Sequence, residues 1–160
     1  MPATNLDEIA AINSKLYSRI LISRVRDLML DIRQDELAPY DISPRQAYIL
    51  EILFKLGHKA TLTQLAKYNE REANTISVQM TKMEKKGLVR KVRKSSKSTL
   101  LIYELTQKGL DTYQQTKKQT SEKAIMSALS GDERQEFMAL LNKILAKANK
   151  YRKAQLETKS

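Results

Sequence analysis

Between residues 74 and 82 the sequence offers Asn74, Thr75, Ser77, Val78, Thr81 and Lys82. At helical spacing they form one face carrying an amide, hydroxyls, a few methyl groups and a cation at the C-terminal end. Amides and hydroxyls exchange hydrogen bonds with base edges, and a methyl can meet a thymine methyl. A merely solvated helix face is more usually filled with Glu and Lys. From Lys82 to Lys97 there are eight Lys or Arg (Lys82, Lys85, Lys86, Arg90, Lys91, Arg93, Lys94 and Lys97) against a single acid, Glu84. A small, uncharged helical face followed by a cationic segment fits duplex DNA. The helix can enter the major groove while the cations lie along phosphates.

Other chemistries find little support. His58 is the only histidine, and it follows Gly57 in a polar loop; cysteine is absent. Nucleophilic thiol chemistry, disulfides and zinc-thiolate sites are thereby excluded. Four scattered glycines make no phosphate-binding loop, and no acidic pair suggests a reaction centre. The expectation is a protein that is not an enzyme, with no cofactor, no catalytic residue and no metal site. The six methionines read as core filler.

The elements that must position these groups can be traced from periodicity and caps. Leu6 to about Asp35 forms one long helical pattern, with Ile9, Ile12, Leu16 and Ile20 at spacings of three and four and Leu21, Val25, Leu28 and Ile32 on a neighbouring face. After a break at residues 39–42, Ser43-Pro44 reads as an N-cap followed by proline at the first helical position. Gly57 ends that helix. Thr61 caps a short helix facing inward with Leu62, Leu65 and Ala66. The next helix, roughly Glu72 to Lys86, buries Ile76, Met80 and Met83, and Gly87 ends it.

Leu88 to Arg93 and Thr99 to Leu105 read as two strands joined by a polar tip at residues 94–98. Thr106 caps a further helix carrying Leu110, Tyr113, Ala124, Ile125 and Ala128. A capping box pairs Ser130 with Glu133. The last helix shows Phe137, Leu140, Leu141, Ile144, Leu145, Ala148 and Tyr151 along one side, with fraying expected beyond Arg152. The fold class is mainly α (α+β): a helix-turn-helix with a two-stranded hairpin, flanked by terminal helices.

At 160 residues the chain is long enough for one domain with a substantial core, or a small domain plus an oligomerisation element. The net charge of +11 and pI near 9.8 call for a polyanionic partner, nucleic acid ahead of an anionic membrane surface. Residues 1–8 lack the features of a secretory signal, and the longest apolar runs, at residues 20–22 and 100–103, are far too short to span a bilayer. The expectation is a soluble, cytoplasmic protein that uses no membrane.

In order and residues together, this pattern resembles the MarR family of winged-helix transcription regulators. Ile42-Ser43-Pro44-Arg45-Gln46 is similar to the family's Leu-Thr-Pro-x-Gln, and Leu62-Thr63-Gln64-Leu65-Ala66 to its Leu-x-x-Leu-Ala helix. Asn74-Thr75-Ile76-Ser77 with Met83-Glu84-Lys85-Lys86-Gly87-Leu88-Val89 resembles the recognition helix and its Leu-Glu-x-x-Gly-Leu-Val exit. Leu105-Thr106-Gln107-Lys108-Gly109 matches the Leu-Thr-x-x-Gly that leaves the wing. Two departures stand out. The Asp-Arg pair usual at the wing tip is replaced, without gaps, by Lys97-Ser98, and Gln79 stands where the family usually has an aliphatic residue. Lysine lacks arginine's planar fork, so the wing is expected to contact mostly phosphate.

The resemblance implies a homodimer on a pseudo-palindromic double-stranded DNA operator, acting as a repressor that a small-molecule effector releases. The domains expected are residues 1–36, an N-terminal dimerisation helix; 37–109, the winged helix-turn-helix; 110–156, C-terminal dimerisation helices; and 157–160, a tail. Asn74, Thr75, Ser77, Val78 and Thr81 are the expected base-reading residues. Arg45, Gln46, Lys82, Arg93, Lys94 and Lys97 are expected to hold phosphates. Ile9, Ile12, Leu16, Phe137, Leu141 and Ile144 are the expected dimer interface. The alternative is a winged-helix module that binds a protein partner or non-specific DNA.

Overall fold

A computed structural model describes residues 14–93 and 100–158, with side chains from residue 17 onward. The helices are α1 (Ser14–Leu37), α2 (Pro44–Lys55), α3 (Leu62–Tyr68), α4 (Ala73–Lys85), α5 (Gln107–Thr116), α6 (Thr120–Met126) and α7 (Gly131–Glu157). The strands are β1 (Lys59–Thr61), β2 (Val89–Arg93) and β3 (Leu101–Leu105). Backbone contacts divide the chain into two compact units, one ending at Gln119 and the other starting at Thr120.

Local chemistry explains most helix boundaries. Ser43 and Gln46 close a reciprocal capping box at the start of α2, with Pro44 in its first turn. Thr61 and Gln64 do the same for α3, and Ser130 and Glu133 for α7. Gly87 turns the chain out of α4 at φ +70°, a conformation that side-chain-bearing residues resist.

Within the first unit, Ile76, Met80 and Met83 of α4 are wholly buried against Ile49, Leu50 and Leu53 of α2 and Leu65 of α3 in one apolar cluster. Each such side chain stabilises the fold by roughly 1.5–3 kcal/mol. Leu37 at the end of α1 joins the cluster. Arg33, one turn earlier, donates to the Thr116 carbonyl at the C-terminus of α5 at 2.8 Å. α1 is thus fastened to the winged-helix body near its C-terminal end.

Three features differ from the sequence expectation. A third strand, β1, pairs antiparallel with β3 through Lys59↔Glu104, Ala60↔Tyr103 and Thr61↔Ile102, giving the sheet order β1-β3-β2. Three residues carry no readable alternation; they become a strand because β3 presents an open edge. The single helix expected after Thr106 is broken at residues 117–119, where Gln119 takes φ +46°, and resumes as α6. The last helix runs on past Arg152 to Glu157.

Candidate nucleic-acid interface

The thirteen residues of α4 span about 20 Å at 1.5 Å per residue, and a B-DNA major groove is about 12 Å wide. With Ile76, Met80 and Met83 turned inward, Asn74, Val78, Thr81 and Lys82 are exposed, and Thr75 and Ser77 are half-buried at the edges of that face. Val78 is 54% exposed, an unusual setting for a valine unless something covers it. The Thr81 hydroxyl donates to the Ser77 carbonyl at 3.1 Å, leaving its lone pairs outward. The five expected base-reading residues therefore lie together on the outward side of one helix.

The C-terminal end of α4 is fixed by its neighbours. Thr106 Oγ1 donates to the Gly87 carbonyl at 2.6 Å and accepts the Gly109 N–H at 3.0 Å. Lys108 Nζ donates to the Lys86 carbonyl at 2.7 Å, and Lys86 in turn donates to the Asp41 carbonyl. Glu84, the lone acid of the basic run, accepts the backbone N–H of Lys91 at 3.2 Å and so joins α4 to β2. Its presence among cations has a structural reason that the sequence did not reveal.

The cations fall into two groups. Arg90 is bound twice by Glu104, at 3.1 and 2.9 Å, and Lys86 pairs with Asp41 at 3.2 Å. Lys91 sits over the Tyr103 ring, 5.6 Å from its centre. Arg45, Lys82, Lys85 and Arg93 are exposed and have no acidic partner among the described residues. This second group lies on α2 (Arg45), on α4 itself (Lys82 and Lys85) and at the end of β2 (Arg93).

Of the residues expected to hold phosphates, Gln46 is one that the structure buries. It is only 4% exposed, and its Oε1 accepts the Ser43 N–H at 3.2 Å to close the capping box. A side chain three residues into a capped helix folds back on the cap instead of reaching outward. Lys94 and Lys97 lie outside the described residues, as do Ile9 and Ile12 and the side chain of Leu16. Phe137, Leu141 and Ile144 are exposed on α7 at 40%, 36% and 56%.

Among the described residues, no group of three or more His, Asp or Glu could hold a metal ion, and no helix is long and apolar enough to cross a membrane.

Residues 42–109 match the family described as a winged helix DNA-binding domain. No curated protein sequence matches the chain. Among solved structures, the chain is similar to the organohalide-sensing transcriptional regulator RdhR with 2,4-dichlorophenol bound, at 24% identity and a TM-score of 0.77, over 90% of this chain and 85% of that one. It is similar to Staphylococcus aureus MepR in a DNA complex, at 22% identity and 0.73, over 81% and 96%. It is similar as well to AbsC, a MarR family transcriptional regulator from Streptomyces coelicolor, at 20% and 0.76, over 86% and 95%. These relatives are regulators, not enzymes. Residues 42–109 thus match a winged helix DNA-binding domain, and the chain has the fold seen in AbsC, a MarR family transcriptional regulator.

Proposed function

We propose that the protein is a homodimeric, sequence-specific DNA-binding regulator that represses transcription by occupying a pseudo-palindromic operator. The observation that carries this reading is the outward face of α4: small hydrogen-bonding groups and an exposed valine, on a helix that also carries Lys82 and Lys85, which have no acidic partner among the described residues. Asn74, Thr75, Ser77, Val78 and Thr81 read base edges. Arg45, Lys82 and Arg93, with Lys94 and Lys97 of the wing, hold phosphates.

Dimerisation is supported by the apolar surface of the terminal helices. On α7, Phe137, Leu141, Ile144, Ala148 and Tyr151 recur at spacings of four and three, the seam by which helices pair. On α1, Ile22, Val25 and Leu28 are each about half exposed. Residues 1–36 and 110–156 supply the interface in this reading. A pair of protomers sets two α4 helices about one DNA turn apart, roughly 34–36 Å. The relative solved with 2,4-dichlorophenol supports release by a small, apolar, weakly acidic ligand.

The test is selection of a random duplex pool by the purified protein, followed by sequencing. Enrichment of an inverted repeat with half-sites about one turn apart is expected. Salt-sensitive binding without any enriched sequence would replace this reading with non-specific DNA binding.

A further inference from the structure

α1 joins the winged-helix body at its C-terminal end and carries its apolar surface further up the helix. Among the described residues, Leu37 is the one residue of α1 in the buried apolar cluster. Towards the N-terminus, Ile22, Val25, Leu28 and Leu30 stand about half exposed. A single buried side chain holds the end of a helix in place but leaves its direction free. Val25 precedes Leu37 by about 18 Å along the axis, so a tilt of about 10° around Leu37 would carry it about 3 Å. That displacement is close to the rise of one base pair, about 3.4 Å.

Arg33, one turn before Leu37, supplies a second fixed point. Its side chain is only 11% exposed, an unfavourable setting for a charge unless it is paired. One arm of the guanidinium, Nη1, is paired with Glu36 on the same helix, and the other, Nη2, donates to the Thr116 carbonyl at 2.8 Å. Thr116 ends α5, where the last carbonyls have no partner within the helix and form the negative end of its dipole. The acceptor is itself held. Thr116 is 5% exposed, and its hydroxyl donates to the Thr112 carbonyl at 2.8 Å. Glu36 orients the guanidinium, and Thr116 receives it. Arginine suits this joint because its planar fork reaches two acceptors in fixed directions, which a lysine ammonium does not.

We infer that Arg33 is a positioning residue: it fixes the direction in which α1 leaves the winged-helix body, and through it the spacing of operator half-sites that a dimer accepts. This rests on the reading of the protein as a DNA-binding dimer whose interface includes α1. With Leu37 and Arg33 both engaged, α1 and α4 move as one piece, so pairing two α1 helices fixes where the two α4 helices fall. With Leu37 alone, the same pairing leaves each α4 free to swing by about one base-pair rise. Arg33 lies on neither α4 nor the wing, so the groups proposed to touch bases and phosphates stay unchanged when it is replaced.

The test uses the full chain and the variants R33M and R33K. Methionine keeps a good helix former and removes both donors; lysine keeps the charge and loses the fork. In the first arm no DNA is present. The chain has no cysteine, so Lys85→Cys places a single spin label on each α4 of the dimer, and electron–electron double resonance reads the distance between the two. The distribution should be narrow with Arg33 in place, broad with R33M and intermediate with R33K. Equal widths in all three would overturn the joint. Should R33M not fold, R33K carries the same comparison.

In the second arm, affinities are measured for the selected inverted repeat, for versions with one base pair added or removed between the half-sites, and for a lone half-site. The wild type should lose on the order of a hundredfold when the spacing changes, because the second half-site goes out of reach. R33M should lose about tenfold or less, because a loosely held pair reaches either spacing, and its lone half-site affinity should match the wild type. A lone half-site affinity that fell along with the others would show a general loss of structure and overturn the positioning role. Distances that broaden in R33M, in a protein whose wild type has no spacing preference, would sink the operator reading while supporting the joint. A wild-type spacing preference that R33M retains in full would overturn the role of Arg33 and leave the operator reading standing.

Discussion

Gly109, in the first turn of α5, packs so closely on Leu88 that a Cβ built on it would stand 2.1 Å from the Leu88 carbonyl oxygen. The same carbonyl accepts the Thr106 N–H at 3.1 Å, so it cannot swing aside without breaking that bond. This corner joins the exit of the recognition helix to the strand that returns from the wing. The substitution Gly109→Ala should destabilise the protein by at least about 2 kcal/mol, as overpacking against backbone does. Urea unfolding would measure it, and an unchanged midpoint would show that the corner yields.

Glu104 neutralises part of the charge on the strand β2. It lies opposite both Arg90 on β2 and Lys59 on β1, and it binds the Arg90 guanidinium. Glu104→Gln removes the competing carboxylate. Duplex affinity should rise and the salt slope should steepen by about one. Arg93→Ala, with no acid to release, should do the opposite. Fluorescence anisotropy across a salt series would separate the two, and identical slopes in both variants would refute the division of the cations.

Asn74 begins the outward face of α4, and its side chain makes no hydrogen bond among the described residues. Asn74→Ala should cost about 1–3 kcal/mol at one base pair of the selected operator and flatten discrimination there. Binding to operators altered singly at each position would locate that pair. Equal losses at every position would mean that Asn74 contacts only the backbone.

Ile144 is 56% exposed in the middle of the α7 seam. Ile144→Asp places a charge where the proposed interface must be dry. Sedimentation should show a monomer, and operator affinity should fall on the order of a hundredfold as the second half-site is lost. A variant that remained dimeric would move the interface away from α7.

Acid should loosen the start of α7. The Glu133 carboxyl is held below the usual carboxylate range, first by the Ser130 backbone N–H and then by the Ser130 side chain. A group whose pKa is lowered by folding stabilises the fold above its unfolded value and ceases to do so as pH falls through the folded one. Amide NMR signals of residues 130–134 should therefore report fraying at acid pH. Glu133→Gln, which keeps an acceptor at the cap, should remove that pH response.

Much of this arrangement is legible in the sequence because its causes are local. A Ser or Thr three residues before a Gln or Glu can close a capping box, and those among the described residues form at Ser43, Thr61 and Ser130. Spacings of four and three among Ile76, Met80 and Met83 fix which side of α4 is buried, and so which residues face outward. The face proposed to read bases follows from that spacing alone.

What periodicity could not supply are relationships between residues distant in the chain. β1 exists only because β3 offers an edge some forty residues later. Arg90 reads as one more wing cation until the hairpin register sets it opposite Glu104, fourteen residues away. Gln46 reads as a phosphate-holding residue, yet packing around the second helix buries it, and its Oε1 closes the cap on Ser43. Gly109 reads as part of a motif, and only the approach of Leu88 shows why no side chain fits. Caps and amphipathic faces depend on residues within one or two turns of each other. Charge neutralisation, burial of polar groups and close backbone contacts depend on which segments fold against each other, and the tertiary structure decides that.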